Sequence, residues 1–220
     1  DIRKTPRYIK GSLFTRVGGI AGKAINVSKC YVSSKLDVVA FQESTQTTSA
    51  YYLCVTIGGV VAECENVSKT SFTGTLDSSL STTTMGGICG KLTKKMDNCF
   101  SILDMKGSIY YCGGLIGETN NAVVEKCYSI GRFYVSAYSS TSEAAGLIGW
   151  NYYSTISSCF AYVSYTNNSM PIRQIIGRRN NSEEVSCEYY DKEPNYFEII
   201  NRLGWDVCIW VLGYGSPTVN

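Results

Sequence analysis

Apolar and polar positions along this chain follow one pattern written several times. Each copy opens on a pair of small residues, continues with two apolar residues and a fifth small one, and reaches a cysteine or threonine 8 to 10 residues later. The copies begin "GGIAG", "GGVVA", "GGICG", "GGLIG" and "AGLIG", with a worn one at "IIG" (175–177). The fifth positions are Gly22, Ala62, Gly90, Gly117, Gly149 and Gly177, separated by 40, 28, 27, 32 and 28 residues. Their markers are Cys30, Thr70, Cys99, Cys127, Cys159 and Cys187. Two markers at near-constant spacing inside a repeat of variable length describe a fixed structural half and a variable half. Gly-Gly pairs and runs of Ser, Thr and β-branched residues oppose helices, while the Val, Ile, Tyr, Phe and Thr content favours strands. Two or three short strands per unit, separated by turn residues such as "ETNN" and "TNNS", predict one coil of a β-solenoid, which buries its inner face only by stacking on the next coil.

The predicted fold is therefore all-β: a right-handed parallel β-solenoid (β-helix) of about six coils. Residues 1–17 form an N-terminal lead, 18–192 the repeats, and 193–220 a small C-terminal cap in which Trp205, Trp210, Ile209 and Leu212 cover the open end and 195–204 supply a helical turn. Paired glycines mark a tight corner or a close backbone approach. Ala145 and Ala62, which stand in glycine columns, show that those positions need no positive φ. Alternation then places the marker cysteines inward and the residues after them, Tyr31, Phe100, Tyr128 and Phe160, outward. With Tyr189 they are the candidate contact aromatics.

The chain has ten cysteines. The five in the marker column read as buried apolar thiols, because Thr70 replaces one without a partner change, although stacked coils also lie within disulfide reach. Cys54, Cys64, Cys89, Cys112 and Cys208, off the column, are the better disulfide candidates, with Cys54–Cys64 as a trial pairing. No close cysteine pair suggests a metal, and no cofactor is implied.

Charge narrows the partners. Twenty Lys and Arg against 18 Asp and Glu leave a net +2, with no field suited to nucleic acid or an anionic membrane. The basic excess sits at the start, in Arg3, Lys4, Arg7, Lys10 and Arg16, where it reads as a solvated leader or as a dock for an acidic partner. No apolar run approaches the roughly 18 residues a membrane span needs, so the expectation is a soluble chain without membrane insertion. The absence of histidine removes the commonest general base, Ser-His and Cys-His nucleophile pairs and imidazole zinc sites. Three carboxylates recur after the markers, Asp37, Asp77 and Asp104. They read as turn residues, with a polysaccharide-cleaving site as the alternative. Four tyrosine pairs, 51–52, 110–111, 152–153 and 189–190, together with the outer column, read either as sheet-stabilising ladders or as an adhesive strip. Asn26, Asn66, Asn167 and Asn180 fit the N-glycosylation pattern and would mark outward turns. The segments 38–52 and 76–85 are the expected specificity loops.

The pentads "GGLIG" and "AGLIG", each followed about ten residues on by "KCYS" or "SSCFA", resemble the GLUG motif of bacterial surface proteins. "SCEYYDKE" and "LGWDVCIWVLGYGSPTVN" are similar to the closing segment of such arrays. The resemblance spans residues 17–220. It implies a secreted or surface-anchored location and an adhesin or a non-catalytic repeat region, as in some immunoglobulin-A proteases, whose protease activity does not carry over because no histidine-based zinc motif exists here. The expected function is a non-enzymatic extracellular adhesin or structural module with host or self surface glycans and proteins as partners, self-association into filaments included.

Overall fold

The computed structural model describes residues 13–38, 53–165, 170, 172–181, 183–185 and 187–189. Within them the chain is entirely strand and connection. In chain order the strands are β1 (Leu13–Gly18), β2 (Ala21–Ser28), β3 (Tyr31–Val38), β4 (Leu53–Gly58), β5 (Val61–Ser68), β6 (Ser71–Gly86), β7 (Cys89–Asp97) and β8 (Phe100–Gly113). There follow β9 (Ile116–Asn120), β10 (Val123–Glu125), β11 (Tyr128–Ala137), β12 (Glu143–Ala145), β13 (Ile148–Tyr152), β14 (Thr155–Ser157) and β15 (Phe160–Tyr165). The last are β16 (Ile172–Arg173), β17 (Ile176–Asn180), β18 (Glu183–Val185) and β19 (Glu188–Tyr189).

All pairings are parallel, and they build two sheets. One runs β1-β4-β6-β8-β11-β15-β19, with β3 on β6, β12 on β8 and β16 on β12. The other runs β2-β5-β7, then divides into β9-β13-β17 and β10-β14-β18. This is the predicted β-solenoid, but about four turns close within the described residues where the repeats suggested about six. The strand ladder also begins at Leu13, inside the segment read as a lead, because Leu13–Gly18 pairs residue for residue with Leu53–Gly58. The expected cap and its helical turn lie outside the described residues.

Like residues meet like residues down the interior. Val61, Cys89, Ile116, Ile148 and Ile176 form one buried column. Val27, Val67, Met96, Val124 and Ile156 form a second, and Leu76, Met105 and Phe133 a third. Each is apolar on every step, so the burial that one coil lacks is supplied by the next.

The glycine corner is a close approach of backbones. A Cβ on Gly59, Gly87, Gly114 or Gly146 would stand inside van der Waals contact with the carbonyl oxygen of Gly87, Gly114, Gly146 or Gln174, the equivalent residue of the following coil. None of these glycines has a positive φ; among the described residues the positive-φ glycines are Gly74 and Gly107. The corner is stitched along the axis by Val60 N–H to Ile88 O (3.0 Å), Ile88 N–H to Leu115 O (2.8 Å) and Leu115 N–H to Leu147 O (3.0 Å).

The opposite corner explains the marker column. The residue before each of the first five markers is left-handed: Lys29, Lys69, Asn98, Lys126 and Ser158 have φ between 46° and 53°. Such a non-glycine conformation costs on the order of 1 kcal/mol. The marker side chain closes the turn by donating to the carbonyl two residues back: Thr70 Oγ1 to Ser68 O at 2.8 Å, Cys99 Sγ to Asp97 O at 3.2 Å, Cys127 Sγ to Glu125 O at 3.1 Å and Cys159 Sγ to Ser157 O at 3.1 Å. Threonine can replace cysteine here because it offers the same donor at the same distance along the side chain. The markers are turn caps as well as filler.

Most of the variation in coil length falls between a marker and the next pentad; within the pentad-to-marker half, length varies at one place. The spacing from pentad to marker grows from 8 to 9 residues through a register shift between β5 and β7 at Cys64/Asn66. It grows to 10 where the strand splits into β9 and β10, β13 and β14, or β17 and β18, with left-handed Asn121 (φ 53°), Tyr153 (φ 48°) and Asn181 (φ 46°) at the split.

Several expectations are corrected. Cys64, Cys89 and Cys112 are free thiols, so the Cys54–Cys64 pairing does not stand. Cys64 and Cys89 instead donate to backbone carbonyls, and Cys112 points at Met105 Sδ, 2.8 Å away. The side chain of Cys54, and Cys208, fall outside the described residues. Residues 76–85 are not a loop: they lie within β6, whose pairing with β8 absorbs a shift between Ser78 and Thr82. Residues 39–52 of the other expected loop are not described.

Candidate contact surface

The expected contact column divides. The rings of Phe100, Tyr128 and Phe160 belong to no part of the core cluster, in keeping with the predicted alternation, yet they are 1%, 1% and 3% exposed. They stack face to face, Phe100 on Tyr128 and Tyr128 on Phe160, each at 4.9 Å between centroids. Stacking occupies the ring faces that a ligand would use, so these three are corrected from contact residues to an axial ladder worth about 0.5–1.5 kcal/mol per pair beyond area burial. Tyr31, at the end of the row, is 56% exposed. Tyr189 lies in β19, its side chain outside the described ones.

A different aromatic group is built from the tyrosine pairs. Tyr110 and Tyr111 on β8 and Tyr152 and Tyr153 at the end of β13 converge on Trp150. Centroid distances run 4.5 Å for Tyr110–Tyr111, 4.8 Å for Tyr111–Trp150, 5.8 Å for Trp150–Tyr152 and 4.4 Å for Tyr152–Tyr153. The rings meet edge-on or tilted, leaving faces and edges turned in several directions. Arg178 closes the group. Its guanidinium lies 5.8 Å from the Trp150 ring, and its Nη1 donates to the Tyr111 hydroxyl at 3.3 Å.

Local structure holds these rings. Along β13 the side chains of Trp150 and Tyr152 alternate with buried Asn151, which fixes them on the opposite face. Beneath them Asn151 bonds Thr119 and donates to Ser154 O (3.2 Å). The Ser154 hydroxyl donates to Tyr152 O (2.9 Å) and accepts from Ala122 N–H (2.9 Å). These satisfied polar bonds lock the left-handed Tyr153, which presents an exposed ring. Tyr111 is buried, and burial, followed by its bond with Tyr110, pushes its hydroxyl up to about 12. Tyr110 is lowered, first by its bond with the Thr141 hydroxyl, 2.8 Å away. The Trp150 Nε1 is buried with no acceptor.

The three carboxylates stand on strands rather than turns. Asp37 and Asp77 are register partners, and Lys106 follows them in the same row. Asp104 makes a bidentate pair with Arg132, Nε to Oδ1 at 2.8 Å and Nη2 to Oδ2 at 2.9 Å. Thr75, Asp104, Arg132 and Ser164 line one side of a shallow trough of about 530 Å³, with Ile102, Ile130 and Tyr162 on the other. The sequons are also corrected: Asn26 and Asn66 occupy strands β2 and β5, not turns, and Asn66 Nδ2 donates to Asn26 Oδ1 at 3.0 Å. Asn180 is exposed beside left-handed Asn181, and Asn167 lies outside the described residues.

The tyrosine pairs were visible in the sequence, but their centre was not. Trp150 and Arg178 come from positions that hold Glu118 and Lys91 in earlier coils, so the repeat presents them as ordinary surface positions. Among the described residues no helix is long and apolar enough to cross a membrane, and no group of metal-ligating side chains occurs. Comparison with known proteins returned no matching family, no matching curated protein and no matching solved structure.

Proposed function

We propose that this chain is a non-enzymatic extracellular contact module of the adhesin type, and that the group around Trp150 is where it meets a glycan. The observation that carries the reading is the convergence of five rings and one guanidinium from two sheets on a scaffold whose every strand is paired. Sugar rings offer C–H faces to aromatic rings and hydroxyls to polar tips. Here the tips are the Tyr hydroxyls and Arg178. A rigid site also loses little entropy on binding. The resemblance to GLUG repeats supports the same assignment.

A glycan and host-protein binding screen with the full chain tests it, repeated with Tyr153→Ala, which removes an exposed ring without opening the core, and with Trp150→Ala checked by circular dichroism. Binding that falls at least tenfold in both variants is the expected result. Binding unchanged in both, or binding to nothing in the screen, refutes it.

A second reading, polysaccharide cleavage, is favoured by the row Asp37–Asp77–Lys106 and the adjacent trough, which place carboxylates and a base on one sheet face. Incubation with a polymer panel decides: new reducing ends or unsaturated products that vanish in Asp77→Asn establish it, and their absence removes it.

A further inference from the structure

The first coil ends the ladder among the described residues. Strands β1, β2 and β3 pair with β4, β5 and β6 on one side only; β2 and β3 carry exposed Ile25 (64%) and Tyr31, and Ile20 (54%) lies at the bend between β1 and β2. An open parallel edge with exposed apolar side chains is a template for another strand.

The coils beneath show what that strand must carry. Lys23, Glu63, Lys91 and Glu118 are successive register partners, so charge changes sign at every step. Lys91 and Glu118 form an ion pair at 3.1 Å, and Glu63 is held by Arg16 at 2.7 Å. Lys23 is left with no ion-pair partner among the described residues, and its row calls for an acid above it. Three positions on, Asn66 donates to Asn26 Oδ1, which uses the Asn26 acceptor and leaves its Nδ2 donors for a neighbour. The complement is a strand with a carboxylate against Lys23 and an amide or carbonyl acceptor against Asn26. Glu63 and Asn66 of β5 have that spacing.

Two nearer occupants do not fit. Residues 1–12 carry Arg3, Lys4, Arg7 and Lys10 against Asp1, the wrong sign. A second copy stacked in register would set Arg178, the last described member of the same row, against Lys23. We propose that the open edge of the first coil receives an acidic β-strand from another protein, added parallel to β2 with a carboxylate on Lys23 and an acceptor on Asn26.

The probe is a labelled peptide with the β5 sequence 61–68 carrying C64S, followed by fluorescence anisotropy with the full chain. A second peptide adds E63K. The expected result is salt-sensitive binding of the first peptide and weaker binding of the second. K23E should weaken the first peptide by roughly two- to fivefold, as for exposed ion pairs, and improve binding of the second. No binding of either peptide, equal binding of both, or affinities indifferent to K23E overturn the proposal. So does a concentration-dependent oligomer that shields Lys23 from acetylation, which would assign the edge to a second copy.

Discussion

Replacing Gly114 by alanine should open the stack, whereas the same replacement at Gly22 should be nearly silent. At Gly114 the added methyl would fall inside contact with the Gly146 carbonyl oxygen of the next coil and the Ser129 hydroxyl. The Ser129 hydroxyl can rotate away, although its Cβ, 2.8 Å from the methyl, stays. The carbonyl cannot, because Gly146 belongs to a corner fixed by Gly114 N–H to Ala145 O (3.1 Å) and Leu115 N–H to Leu147 O (3.0 Å). Relief therefore requires the coils to separate and those bonds to lengthen. Overpacking alone costs about 1–3 kcal/mol, and two strained axial bonds add about 1 kcal/mol each, giving roughly 3–5 kcal/mol in all. For a chain of this size that lowers Tm by about 6–20 °C, at about 2–4 °C per kcal/mol. At Gly22 the nearest atoms are Arg16 O at 3.3 Å and Arg16 Cβ at 3.4 Å, and Ala62 already fills the equivalent place one coil on. Gly22→Ala should shift Tm by less than about 2 °C. Thermal melts followed by far-ultraviolet circular dichroism compare the two. A Gly114→Ala protein that melts with the wild type, or a Gly22→Ala protein that falls as far, refutes the close-approach account of the corner.

Three further outcomes are expected. Ellman's reagent at neutral pH should leave Cys89, Cys112, Cys127 and Cys159 unreacted in the native protein, whereas under denaturing, non-reducing conditions at least the eight free cysteines should react; fewer would restore a disulfide. Alkali should destabilise the fold. Burial raises the Cys89, Cys112 and Cys127 thiols, and the bond with Cys127 leads the rise at Cys159. Their contribution is full below the unfolded thiol pKa, about 8.5, and is lost as pH rises above it, so urea midpoints should fall between pH 8 and 10 and hold between 6 and 8. Expressed in a glycosylating host, the protein should carry a glycan at Asn26 or Asn66 but not both, because their side chains touch across adjacent strands about 4.8 Å apart; intact mass spectrometry of a double-occupied product would contradict this.

The solenoid was legible because its physics is one-dimensional. Each column must be acceptable to its own neighbours above and below, so glycine, apolar and cysteine/threonine positions repeat in the text of the chain. The cap role of the markers was half legible. Lys29, Lys69 and Lys126 stand before Cys30, Thr70 and Cys127 in plain view, but a left-handed lysine has no sequence signature. The row Asp37–Asp77 had a signal in its equal offset of 7 from Cys30 and Thr70, which in a stacked array means the same rung. Asp104, at offset 5, sits on another and meets Arg132. Trp150 and Arg178 broke no column rule and so, unlike the tyrosine pairs around them, left no trace. Tyr111 and Trp150 come from different sheets and different coils, and only the corner between them brings the rings together.

The split strand that admits Asn121, Tyr153 and Asn181 has a use beyond accommodating their coils. It is an expansion joint: the one residue gained between β7 and the β9–β10 pair is taken up as a kink, and the rungs on either side stay aligned. A residue gained at the glycine corner has nowhere to go, since that backbone already touches the next layer. Peptide epitopes or reporter tags spliced after Asn121 should thus be carried on the flank of an intact rod, while the same tag one quarter-turn earlier would unzip it.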